Sequence, residues 1–169
     1  MRKVLKDNTR LMKIKFLVEE DFVNYKKPSM FIGFPTCTWK CEKECGNKMC
    51  QNSSLAHSPD INITYEEIVR RYVDNPISKA IVCGGLEPFD SWEALAQLVN
   101  EFRKHTQDDI VIYTGFYEPE ISDRVEYLRQ NYNNIVIKFG RFVPNEDKHF
   151  DEVLGINLAS NNQYGERIC

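Results

Sequence analysis

Cys37, Cys41, Cys45 and Cys50 place four of the chain's six cysteines inside one stretch of fourteen residues. Clustered thiolates are ligands for zinc or for an iron–sulfur cluster, because a short loop can wrap its sulfurs around either. An even cysteine count also fits disulfides, which persist only in oxidising compartments. The opening residues carry too many charges for a signal peptide, and no apolar stretch is long enough to span a bilayer. The expectation is a cytoplasmic chain whose cysteines bind metal. Structural zinc sites favour paired Cys-x2-Cys spacing. This loop has no such pair: it reads Cys37-x3-Cys41, then Cys45, then Cys50. Three thiolates on a cluster would leave one iron open, and an open iron can take a substrate.

Val82-Cys83-Gly84-Gly85-Leu86-Glu87-Pro88-Phe89 is a second segment of interest. Glycines at a strand end allow close backbone approach and positive φ, and Glu87 adds a charge beside them. A tight strand-to-helix turn is the plain alternative. His57, His105 and His149 stand alone, with no second metal-type residue at a useful spacing. Cys83 reads as a small buried hydrophobe and Cys169 as a free terminal thiol.

The hydrophobic pattern supplies the frame for these residues. Met12 to Val18, Met30 to Phe34, Ala80 to Cys83, Ile110 to Tyr113, Ile135 to Phe139 and Val153 to Leu158 read as strands. Thr64-Tyr65-Glu66-Glu67 and Asp90-Ser91-Trp92-Glu93 are capping boxes. The first opens a helix expected to bury Ile68, Val69, Tyr72 and Val73 and to stop at Asn75-Pro76. The second opens a helix with Leu95, Leu98, Val99 and Phe102 on one face. Pro119 suits the first turn of a third helix, which carries Ile121, Val125 and Leu128. Continuous apolar strands separated by helices imply a parallel sheet covered on both faces. Such folds place their sites at the carboxyl ends of the strands. The cysteine loop, the Gly84-Gly85 segment, Tyr113-Thr114-Gly115 and Gly140-Arg141 would therefore meet on one rim.

A Cys-x3-Cys pair, a later third cysteine and a Gly-Gly strand end containing Glu87-Pro88 resemble the radical S-adenosylmethionine (SAM) superfamily. The family pattern is Cys-x3-Cys-x2-Cys followed by Gly-Gly-Glu-Pro. This chain departs from it twice. No cysteine falls two residues after Cys41, and Leu86 stands between Gly85 and Glu87. Val111-Ile112-Tyr113-Thr114-Gly115-Phe116 and the tail Asn157-Leu158-Ala159-Ser160-Asn161-Asn162-Gln163 with Arg167-Ile168 are similar to the activating proteins of anaerobic ribonucleotide reductase.

The resemblance implies an α/β fold, a partial (β/α) barrel with a mainly parallel sheet. It implies one 4Fe-4S cluster on Cys37, Cys41 and Cys50, with Cys45 the alternative third ligand. Met49, just before Cys50, is apolar and suits an adenine ring, whereas Glu44 before Cys45 is charged; Cys50-Gln51-Asn52 also matches a Cys-x-Asn of small activating enzymes. Gly84, Gly85, Glu87 and Pro88 would receive the methionine end of SAM, and Tyr113 and Asn157 would lie near the rest of it. Trp39 would shield the cluster or simply pack. The implied reaction is reductive cleavage of SAM to methionine and a 5′-deoxyadenosyl radical, with the protein supplying binding and orientation. The implied partners are a glycyl radical enzyme (an anaerobic ribonucleotide reductase) and an electron donor such as flavodoxin or ferredoxin. A radical SAM enzyme with another substrate, and a non-catalytic iron–sulfur or zinc module, are the competing readings.

The 169 residues suit one domain over residues 12–169, with residues 1–11 as a loose extension and Met12 as a possible start. Hydrophobic residues at 42% can furnish a sizeable core. A net charge of −3 with scattered basic residues gives no footprint for nucleic acid.

Overall fold

The structure, a computed structural model, describes residues 10–48, 50 and 52–169. In chain order its elements are β1 (Leu11–Ile14), β2 (Phe16–Asp21), β3 (Ser29–Phe34), α1 (Lys40–Cys45), α2 (Ser53–Ala56), β4 (Ile61–Thr64) and α3 (Tyr65–Asp74). There follow β5 (Ala80–Gly85), α4 (Trp92–Arg103), β6 (Asp109–Tyr113), α5 (Ser122–Asn131), β7 (Ile135–Phe139), β8 (His149–Asp151), β9 (Ile156–Leu158) and β10 (Tyr164–Arg167). Short 3-10 turns at Pro88–Ser91 and Glu118–Glu120 lead into α4 and α5.

The apolar runs of β3, β5, β6 and β7 pair in parallel, as their uninterrupted hydrophobicity requires. Edge strands β2 and β10 join antiparallel, giving one six-stranded mixed sheet in the order β10-β7-β6-β5-β3-β2. This order corrects the expected partial barrel. The sheet is open, with an edge at each end, because the segment after β7 returns as antiparallel β10 rather than adding a further parallel strand. The helices also cover one face only. Leu95, Leu98 and Phe102 of α4, Ile68 of α3 and Leu128 of α5 pack on Ile81, Ile110, Ile112, Ile135 and Ile137. Alternate residues of the same strands, Ala80, Val82, Val111 and Val136, face the other way and meet Tyr25, Leu154 and Leu158.

Four local expectations change as well. Met12 to Val18 is not one strand. The backbone N–H of Lys15 bonds Gly33 O at 2.7 Å, and its ammonium is held by Asp60 at 2.8 Å and Ser58 O at 2.6 Å. These bonds separate β1, which pairs with β4, from β2. Val153 to Leu158 is a turn plus β9. Gly155, at φ +71°, closes a hairpin against β8 through a bond to Asp151 O. Val73 is 54% exposed on the outer side of α3. The Thr64 cap forms, its hydroxyl accepting from Glu67 N at 3.1 Å. The Asp90-Ser91 box does not, since Ser91 makes no side-chain cap bond.

Candidate metal centre at the strand ends

The parallel seam between β3 and β5 continues past both strands and delivers the cysteine loop. Leu86 N bonds Phe34 O at 3.2 Å and Glu87 N bonds Thr36 O at 2.8 Å, so Cys37 emerges directly over the Gly84-Gly85 end. That approach demands glycine. Gly85 sits at φ +81°, and a Cβ there would stand 2.9 Å from Gly33 Cα. Asp90 and Ser91, freed from capping, tie down the loop instead. Asp90 accepts from Thr38 N at 2.7 Å, and Ser91 shares a hydroxyl bond with Thr36 at 2.8 Å.

Trp39 holds a left-handed backbone at φ 58°, uncommon for a bulky residue. The turn aims its N–H at Cys37 Sγ, 3.2 Å away, and starts α1, which carries Cys41. Asn52 repeats the pattern at the other end of the loop, its N–H lying 3.4 Å from Cys50 Sγ. Its side-chain amide donates to Gly85 O at 2.9 Å, and Glu42 accepts from Cys50 N at 3.1 Å. Backbone N–H bonds to cluster sulfurs are one of the means by which a protein sets a cluster's properties.

Cys37, Cys41 and Cys50 line one cavity of about 450 Å3 at the carboxyl ends of the strands. Gly85, Glu87, Tyr113 and Asn157 line the same cavity. Other residues, among them Phe31, Asn52, Lys138, Phe142 and Gln163, complete the wall. Cys45 is exposed and lies outside the lining. Gly84 backs onto the Phe31 ring, where a Cβ would come within 2.9 Å, and Pro88 is buried in the turn before α4. Trp39 is half-buried and enters through its backbone. Met49 and Gln51 lie outside the described residues. Among the described residues, no three His, Cys, Asp or Glu side chains converge closely enough to chelate a single ion; the cysteines stand around a volume.

Burial pushes the Cys37 thiol up to about 11, and it pushes Cys41 up as well despite the N–H of Phe142 and the nearby charges of Arg141 and Lys138. Thiolates in this dry setting need a strong cation, which iron supplies. This donor set fits a cluster. Cys83 is fully buried on the helix-covered face and Cys169 stands near Leu128 O, so neither joins the site.

Glu87 is 7% exposed, and burial raises its carboxyl to about 7. Its oxygens accept from Thr114 Oγ1 at 2.9 Å, Gly115 N at 2.8 Å and Phe89 N at 3.1 Å. The carboxylate thus clamps the ends of β5 and β6 together. Tyr113 spends its hydroxyl on Asn24 O.

Two cationic residues, Lys138 in the wall and Arg141 behind it, escaped the sequence reading as site residues. Lys138 is 9% exposed, lines the cavity and donates to Gly140 O at 3.0 Å. Its signal was one charge inside the apolar run Ile135–Phe139. Arg141, noticed only as part of a strand end, is buried at the outer side of the cysteine helix. It contacts Glu120 through both Nη atoms, Glu44 at 2.9 Å and Gly115 O at 3.2 Å.

An α/β sheet with three half-buried cysteines around one strand-end cavity is the setting of a cluster-binding protein. The chain belongs to the 4Fe-4S single cluster domain family, whose model matches residues 27–164, and it is therefore an iron–sulfur protein. No curated protein and no solved structure matches it. Among the described residues, no helix is long and apolar enough to cross a membrane.

Proposed function

We propose that the protein holds its 4Fe-4S cluster on Cys37, Cys41 and Cys50 and uses it to cleave SAM reductively. The observation that carries this reading is the shared cavity: three cysteines and the Gly85 strand end face one space, joined by the Asn52 side chain. Three ligands leave one iron for a chelating substrate, and about 450 Å3 lies within the range of small-ligand sites. The bound cluster would supply the electron that breaks a carbon–sulfur bond of SAM, giving methionine and a 5′-deoxyadenosyl radical.

The chain's own residues have simpler tasks. The carbonyl of Gly85, at the cavity wall, offers an acceptor to the amino group of SAM beside the Asn52 amide it already takes. Glu87 holds Thr114 and Gly115 in place beneath that group. Asn157, exposed at the cavity edge on β9, is available to the nucleoside. Tyr113, Phe31 and Ile156 form an apolar wall that excludes water. The resemblance of Val111 to Phe116 and of the tail to small activating proteins supports a glycyl radical enzyme of the anaerobic ribonucleotide reductase kind as radical acceptor. A cytoplasmic flavodoxin or ferredoxin would then be the electron donor.

The test is anaerobic reconstitution with iron and sulfide, reduction, addition of SAM and quantification of 5′-deoxyadenosine. Product above the protein-free background, lost in Cys37→Ala, is the expected result. A verified cluster that yields none, with or without a glycyl radical enzyme present, would refute SAM cleavage.

A further inference from the structure

Every charged side chain deep in the site except one has an evident partner. Glu87 is satisfied by three donors. Arg141 is matched by Glu120 and Glu44, and Glu120 in turn takes Lys40 at 3.3 Å. Lys138 stands apart. Among the described residues no carboxylate lies within ion-pair distance of its ammonium, which has one carbonyl, Gly140 O, as protein acceptor. Its strand parity, that of Val136, turns it toward the cavity face rather than the helices. A buried ammonium without a counter-ion is costly, and such groups persist where something anionic completes them.

We infer that Lys138 is the counter-charge of the cluster, stabilising its reduced state from across the cavity. Three thiolates leave the cluster anionic, and one-electron reduction adds a negative charge. A fixed ammonium in a site of low dielectric favours the more negative state and so raises the reduction potential. Arg141 also stands beside Cys41, where its guanidinium neighbours Gly115 and its charge acts on the thiol. Glu120 and Glu44 neutralise most of that charge. The two cations therefore differ: Lys138 has no carboxylate in direct contact, with Glu87 acting on it only at longer range, whereas the charge of Arg141 is largely offset by Glu120 and Glu44.

This inference rests on the ligand set proposed above but not on SAM cleavage, so the potential is measured in SAM-free, cluster-loaded protein by anaerobic redox titration. Lys138→Met is expected to lower the one-electron potential by about 59 mV, a tenfold change in the equilibrium. Lys138→Arg keeps the charge and should stay within about twofold of the wild type. Glu120→Gln uncovers Arg141 and should shift the potential upward, by less than the Lys138→Met change. A structural role alone does not produce shifts of opposite sign. An unchanged potential in Lys138→Met, or an equal fall in Lys138→Arg, overturns the inference. If Lys138→Met does not hold a cluster, Glu120→Gln decides, and an unchanged or lowered potential refutes it. Cys41→Ala with a full wild-type cluster would remove its premise. Absence of SAM cleavage would leave these potentials unaffected and would count against the catalytic reading alone.

Discussion

The side-chain amide of Asn52 donates to the carbonyl of Gly85 at 2.9 Å, while its backbone N–H points at Cys50 Sγ. One residue thus couples the last cavity cysteine to the glycine strand end. Asn52→Ala removes the first bond and leaves the second. The third cysteine then loses its register against β5, although its own sulfur contact survives. A single exposed hydrogen bond contributes about 1 kcal/mol. The expected outcome is near-normal iron and sulfide content with SAM affinity weakened on the order of fivefold, read by equilibrium binding. Wild-type affinity would show that Asn52 only closes the loop.

Cys45 and Cys50 are the decisive pair for the ligand set. Cys50 lines the cavity beside Cys37 and Cys41, and Cys45 is exposed outside it. Cys45→Ala should keep a full 4Fe-4S complement of iron and acid-labile sulfide, whereas Cys37→Ala, Cys41→Ala and Cys50→Ala should each lose most of it. A Cys50→Ala protein that assembles a stable full cluster would reassign the third position.

The parts of this architecture legible in the sequence are those decided locally. Thr64 caps α3 through a contact three residues away, and the runs Ile135–Phe139 and Ala80–Gly85 are too apolar to be anything but buried strands. Long-range competition decides the rest. Asp90 and Ser91 look like a cap, but Thr38 and Thr36 claim their side chains from over fifty residues away in the chain. Lys15 looks like an ordinary strand residue, yet Asp60 and the carbonyl of Ser58 break the strand around it. Tyr164–Arg167 carries no apolar alternation, because as an edge strand it needs only the backbone of β7. That unread strand ends the sheet, so the partial barrel that the resemblance implied gives way to an open mixed sheet. Within the site, the cysteines and glycines were readable by type and spacing. Lys138 was not, since what sets it apart is the lack of a carboxylate within ion-pair distance, which only the fold reveals.

Glu87 makes a pH prediction for the cluster-free protein. Burial raises its folded-state carboxyl from 4.5 to about 7, so folding favours the protonated form. Its stabilising contribution is complete below the unfolded value and is lost as pH rises through about 7. Glu87→Gln has no charge to bury, but its one amide oxygen can keep Thr114 and Phe89 only by leaving the Gly115 N–H without its acceptor. Its stability should be flatter between pH 4.5 and 7, so that the wild type loses on the order of 1–3 kcal/mol relative to it across that range. Urea denaturation across that range checks it. Parallel curves for the two proteins would mean that Glu87 is ionised throughout and compensated by its three donors.

Asp109 makes the opposite pH prediction, at the other end of the sheet. Its side chain is 5% exposed and receives Lys27 at 2.7 Å, Arg167 at 2.9 Å and the Tyr25 hydroxyl at 3.0 Å. Burial alone would raise its carboxyl, but the bonds from Lys27, Arg167 and Tyr25 outweigh burial and hold it below 3.8. Because the folded value is depressed, the contribution is present above the unfolded value of about 3.9 and disappears as pH falls through the folded one. Asp109→Asn leaves two cations facing a neutral amide. Both cations reach solvent, so the loss should sit at the lower end for a broken buried pair, about 3 kcal/mol at pH 7. The gap between the two proteins should narrow as pH drops below about 4. Thermal unfolding at pH 7 and pH 3 tests both statements, and a gap that is the same at the two pH values would show that the bonds act through geometry rather than charge.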